Sequence, residues 1–103
     1  MNGNTPPRQT YKLDGPVVNV TAPVVLPSDK QKYLVFGFQS ETSKRTINAV
    51  FYVRLGDAKG PQLAANVVRA LAMEKMLRVT FTAPKGWSTD WDPSFVIDDA
   101  ELM

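Results

Sequence analysis

The apolar residues of this chain keep one period, leave it once, and return to it. In "INAVFYVRL" (47–55) Ile47, Ala49, Phe51, Val53 and Leu55 alternate with Asn48, Val50, Tyr52 and Arg54. That two-residue period is the mark of a strand with one dry face and one wet face. It recurs in "YLVFGFQS" (33–40), where Leu34, Phe36 and Phe38 oppose Tyr33, Val35, Gly37 and Gln39. It recurs again in "MLRVTFT" (76–82), with Leu77, Val79 and Phe81 on one side. Between these runs Leu63, Val67, Ala70 and Leu71 fall at i, i+4, i+7 and i+8. This spacing predicts an amphipathic helix over 62–75, started by Pro61 and ended by Glu74 and Lys75.

The remaining segments complete an order. Tyr11 to Val25 reads as one long strand, bent at Gly15-Pro16, and "LPSDKQK" (26–32) supplies the turn after it. "ETSKRT" (41–46) is a polar loop, "APKGWSTDWDP" (83–93) a hairpin tip, and "SFVIDDAELM" (94–103) a last strand. Three strands, one helix and two strands in 103 residues fit a five-stranded barrel with a helix across one end, the OB-fold. A ferredoxin-like fold needs a second helix, and a sandwich needs about seven strands. The expectation is one OB-fold domain over 10–103 behind a flexible tail at 1–9. Phe36, Phe38, Phe51 and Phe81 are its expected core.

The chain has no cysteine and no histidine, which removes disulfides, thiol nucleophiles, zinc-finger spacings and the imidazole base. Asp98, Asp99 and Glu101 are the one acidic cluster, and their spacing along a strand cannot bring all three to one face. The reading is a non-enzyme with no metal and no cofactor. The start "MNGNTPPRQT" lacks the apolar stretch of a signal peptide, and no run approaches a membrane span, so a cytoplasmic protein without membrane partners is expected. Net charge is only +2, but it is unevenly placed. Residues 1–54 carry seven basic and three acidic side chains, residues 55–103 five and seven, so a polyanion would prefer the first half.

"LRVTFTAPKGWSTDW" followed by "SFVIDDAELM" resembles the end of the bacterial single-stranded DNA-binding protein core. There a fourth strand enters a basic, Trp-containing hairpin and a fifth strand follows. "VIDDAELM" also resembles the finish of the primosomal replication protein N family, and "INAVFYVRLGDAKGPQLAANVV" is similar to the third strand and helix of the DNA-binding proteins. The likeness spans roughly residues 10–103. It implies DNA replication, a single-stranded nucleic acid as partner, and a homo-oligomer, dimer or tetramer.

Single strands are held by cations that follow phosphates and by rings that stack on bases. The candidates are therefore outward or loop aromatics near basic residues: Tyr33 beside Lys30 and Lys32, Tyr52 between Asn48 and Arg54, and Trp87 after Lys85 and Gly86. Lys44, Arg45, Arg54, Arg78 and Lys85 are the expected phosphate contacts. Trp91 lies between Asp90 and Asp92, whose charges repel phosphate, so packing or self-association is expected of it. Two functions follow: single-stranded DNA or RNA binding with little sequence preference, or a protein-interaction barrel that assembles without nucleic acid.

Overall fold

The computed structural model describes residues 7–88 and 90–103. The proposed tail therefore falls largely outside the described residues, as does Thr89 of the hairpin tip. The strands are β1 (Arg8–Val20), β2 (Val24–Val25), β3 (Lys32–Glu41), β4 (Thr46–Arg54), β5 (Met76–Pro84) and β6 (Ser94–Leu102), with the helix α1 (Gly60–Ala72) between β4 and β5. The order around the sheet is β1-β5-β6-β4-β3, and β1 pairs with β3 to close the circle. All of these pairings are antiparallel except β4 with β6. This is the expected five-stranded barrel of the OB-fold order, with the short β2 added outside β3.

Closure depends on β1 serving two neighbours. Arg8 to Pro16 pair with β5, and Val17 to Val20 pair with β3. The strand changes partner after Pro16 and bends at a bulge between Val17 and Asn19, and just before this Gly15 lies against β3. A Cβ there would lie 1.7 Å from the Gln39 carbonyl oxygen, so only hydrogen fits. The buried Ser40 hydroxyl donates to the Asp14 carbonyl at 2.8 Å and ties the bend down.

Several boundaries differ from the sequence reading. The first strand begins at Arg8, inside the proposed tail, and the segment read as continuous to Val25 breaks after Val20. Pro23 has no N–H to give to a ladder, and Thr21 donates to Val35 instead, so the chain rejoins β3 only at Val24. The helix stops at Ala72 rather than Lys75: Glu74 takes a φ of 52°, and the Lys75 N–H returns to the Ala70 carbonyl at 2.9 Å.

The core is the one the alternation predicts. Phe36, Phe38, Phe51 and Phe81 are buried together with Leu34, Ile47, Val53, Leu77 and Val79. α1 packs against β1, β4, β5 and β6, and its Leu63, Val67 and Ala70 join the same cluster, so the helix covers one end of the barrel. Leu71 departs from the predicted stripe and is exposed.

Candidate nucleic-acid interface

β3 and β4 pair from Tyr33 opposite Arg54 to Glu41 opposite Thr46. Because the phenylalanines fill the barrel, the alternate residues form its outer wall. Rows cross that wall in register: Tyr33 with Arg54, Val35 with Tyr52, Gly37 with Val50, and Gln39 with Asn48. β6 extends two of the rows, placing Ser94 beside Val50 and Val96 beside Tyr52. The wall is apolar in the middle, with Tyr52 half-buried between Val35 and Val96. Amides occupy one end, where Gln39 donates to Asn48 at 3.1 Å. Asn19 lies over Gly37 and accepts from its N–H at 3.1 Å, filling the space a side chain would need.

At the other end sits Arg54. Its Nε and Nη2 donate to the Tyr33 hydroxyl at 3.3 and 3.2 Å, and its guanidinium carbon lies 5.7 Å from the centre of that ring. Tyr33 donates in turn to Asp29, and this hydrogen bond holds the Asp29 carboxyl below its usual range. The Tyr52 ring meets the Tyr33 ring edge-on at 6.0 Å. Tyr33 is therefore only 2% exposed. It lies on the expected face, but the expectation of a ring open to solvent is not met: the turn before β3, Arg54 and Tyr52 close around it. Tyr52 keeps a free side.

The hairpin between β5 and β6 carries both tryptophans, and they differ in exposure. Trp87 folds back on the barrel, against Tyr11 at 4.9 Å and Phe81 at 5.2 Å. Phe81 also stacks on Phe95 at 5.4 Å, so an aromatic chain runs from the core to the hairpin. The Trp87 Nε1 is buried and has no acceptor among the described residues. Trp91, expected to pack or to self-associate, is 66% exposed in the single chain, so it is not packed within it. Together with Pro84, Lys85, Gly86, Trp87 and Phe95 it lines an apolar cup of about 320 Å³.

Asp92 explains why the tip stays near β4. It accepts from the Asn48 N–H at 3.1 Å and from the Arg45 guanidinium. Arg45, expected to meet phosphate, is thus already matched to a carboxylate, and its buried Nε has no partner among the described residues. Arg78 is matched as well. Its Nε and Nη2 hold Asp14 at 2.8 and 3.0 Å, which lowers the Asp14 pKa and raises that of Arg78. Lys44 and Lys85 are exposed and make no ion pair among the described residues.

Of the expected residues, the structure brings Tyr33, Tyr52 and Arg54 together and sets Lys85, Trp87 and Trp91 on the adjoining hairpin. Lys44 stands at the β3–β4 turn, and Arg78 faces away on β5. Sequence reasoning missed Arg8, which donates to the Thr82 carbonyl at 3.0 Å. With Arg54, Ser94, Val96 and Asp98, Arg8 borders a trough of about 440 Å³ along β6. The signal was there, since Arg8, Thr10 and Lys12 continue the alternation of Tyr11 and Leu13 towards the N-terminus. The acidic cluster does not converge. Asp98 accepts from Thr82, Asp99 lies 3.6 Å from Lys59, and among the described residues no acidic group is arranged to hold a metal ion.

Compared with models of known protein families, with characterised proteins and with solved structures, the chain matches none.

Proposed function

We propose that this protein binds single-stranded nucleic acid, DNA or RNA, without catalysis and with little sequence preference, along the outer wall of β3 and β4 and onto the β5–β6 hairpin. The observation that carries the reading is the state of β4's outward face. Tyr52 is half-exposed at the centre of an apolar wall, and Arg54 stands at its end bound to a phenol rather than to a carboxylate. Trp91 adds a second open ring and Lys85 a second uncommitted cation. A strand lying on this wall stacks bases on Tyr52 and Trp91 while Arg54, Lys44 and Lys85 meet phosphates. Stacking contributes about 1–3 kcal/mol per base and tolerates any base, which accounts for weak sequence preference.

Tryptophan emission titrated with oligo(dT) tests this directly. Trp91 is the more exposed of the two, so most of the ligand-dependent quenching comes from it and is largely lost in Trp91→Phe. Neutralising about three phosphates gives a slope near −2 in log affinity against log salt, about a 20-fold loss between 50 and 200 mM. Absence of binding at 50 mM salt, or binding indifferent to salt, overturns the reading.

One observation favours a second reading. Val50 and Val96 flank Tyr52 and are 44% and 36% exposed, so the same wall offers an apolar strip to another protein, including a second copy of this chain. A stable oligomer that protects Tyr52 and ignores oligo(dT) would favour it over the first.

A further inference from the structure

Tyr33 draws attention because it is the largest buried side chain outside the barrel cluster. It is as dry as the core phenylalanines, yet it sits on the outer wall and keeps a polar atom. That atom is fully used. A phenol has one proton to donate and two lone pairs. The proton goes to Asp29, and the lone pairs take Nε and Nη2 of Arg54. Asp29 is itself fixed, because its other oxygen accepts from the Gln31 N–H at 2.9 Å. The turn that carries it is closed by Lys30 N–H to the Leu26 carbonyl at 2.8 Å and Leu26 N–H to the Gln31 carbonyl at 3.1 Å.

From this arrangement we infer that Asp29 and Tyr33 are positioning residues that hold the Arg54 guanidinium in one orientation, with its Nη1 donors left for a phosphate. The inference rests on the proposed nucleic-acid reading for its ligand, but the anchoring itself does not. An arginine on a strand ordinarily loses rotamer freedom when it captures an anion, and that loss opposes binding. Here two of its N–H groups are committed beforehand, so much of the loss is taken up in folding. A carboxylate could have held the side chain as firmly, but it would have cancelled the charge. The phenol holds it without doing so, and Asp29 acts through the phenol instead of pairing with Arg54: among the described residues no ion pair joins Arg54 to a carboxylate. Tyr33 therefore contributes to binding without offering its ring to a base.

Tyr33→Phe separates these roles, because it keeps the buried ring and removes only the hydroxyl. In the free protein the Arg54 Nε–H proton should give a resolved, slowly exchanging resonance that returns to the exposed-arginine position in Tyr33→Phe and partly in Asp29→Asn. In oligo(dT) titrations at 50 mM salt, Tyr33→Phe should weaken binding about fivefold. It should add nothing in an Arg54→Ala background. An Nε–H resonance unchanged by Tyr33→Phe overturns the anchoring. Equal losses from Tyr33→Phe with and without Arg54 overturn the positioning role and make Tyr33 a direct contact or a general stabiliser. A wild-type chain that fails to bind oligo(dT) overturns the ligand reading alone, and the resonance still decides whether Arg54 is held.

Discussion

Two walls of the same barrel each carry an outward arginine, and they differ in what holds it. On β5, Arg78 makes a two-point contact with Asp14, while Lys12 on β1 also draws on that carboxylate. On β4, Arg54 also makes two hydrogen bonds, but longer ones and to a phenol oxygen. At Arg78 the β1–β5 wall pairs guanidinium with carboxylate, whereas Arg54 stands beside an apolar, aromatic surface with no ion pair among the described residues. A count of basic residues treats the two alike. The partner decides which charge is available to an anion, because a carboxylate at hydrogen-bonding distance already satisfies the guanidinium.

The largest test of that contrast removes rings and cations from each wall in turn. Tyr52→Ala with Trp91→Ala should lower oligo(dT) affinity roughly 100-fold at 50 mM salt, from two lost stacking contacts. Lys12→Ala with Arg78→Ala should change it less than about twofold, the scale of a surface charge beyond close contact. Equal losses from the two pairs would abolish the distinction between the walls.

The proposed binding surface includes the hairpin only while the hairpin's base is anchored. Trp87→Ala takes away contacts to Tyr11 and Phe81 and should cost about 2 kcal/mol in chemical denaturation, below the range for a fully buried ring because Trp87 is half-exposed. Trp91→Ala should leave stability within about 0.5 kcal/mol. The two tryptophans then separate cleanly, one read by unfolding and the other by ligand.

Single arginines give a smaller but sharper signal. Arg54→Ala should flatten the salt dependence by about 0.7 in slope, the value of one phosphate on a single strand, and Arg78→Ala should not change it. Acid provides the smallest test. The Asp14 pKa is lowered by Arg78, so the pair stabilises the fold above the ordinary value of 3.8, and the contribution is lost as pH falls below it through the lowered value. Both side chains are more than a third exposed, so solvent screening keeps the effect small. Arg78→Met should make the stability curve shallower between pH 5 and 3, and an unaltered curve would show that this wall's pairing contributes nothing to the fold.

Much of the architecture was legible before any coordinate. Strict alternation in 33–40, 47–55 and 76–82 names the inward phenylalanines, because a strand's period leaves each side chain only two directions. The single stretch at helical spacing fixes where α1 falls. Gly15-Pro16 marks a bend in β1, but the atoms that crowd Gly15 and Gly37, the Gln39 carbonyl and the Asn19 amide, come from other strands. Legibility ended where a side chain's fate depends on partners distant in the chain. Tyr33 and Tyr52 lie on one face and look alike in sequence, yet a turn, a neighbouring strand and an arginine bury the first.

The sequence alone therefore determined the order of elements, the two faces of each main strand and the contents of the core, since those follow from local geometry and the exclusion of apolar groups from water. Tertiary structure decided which outward groups remain available. It tied Arg45 to Asp92 across 47 residues and Arg78 to Asp14 across 64, turned Trp87 inward and Trp91 outward, and set Arg54 on Tyr33. Such pairings depend on where the closed barrel brings distant residues together, and the spacing of residues along one strand carries no record of that.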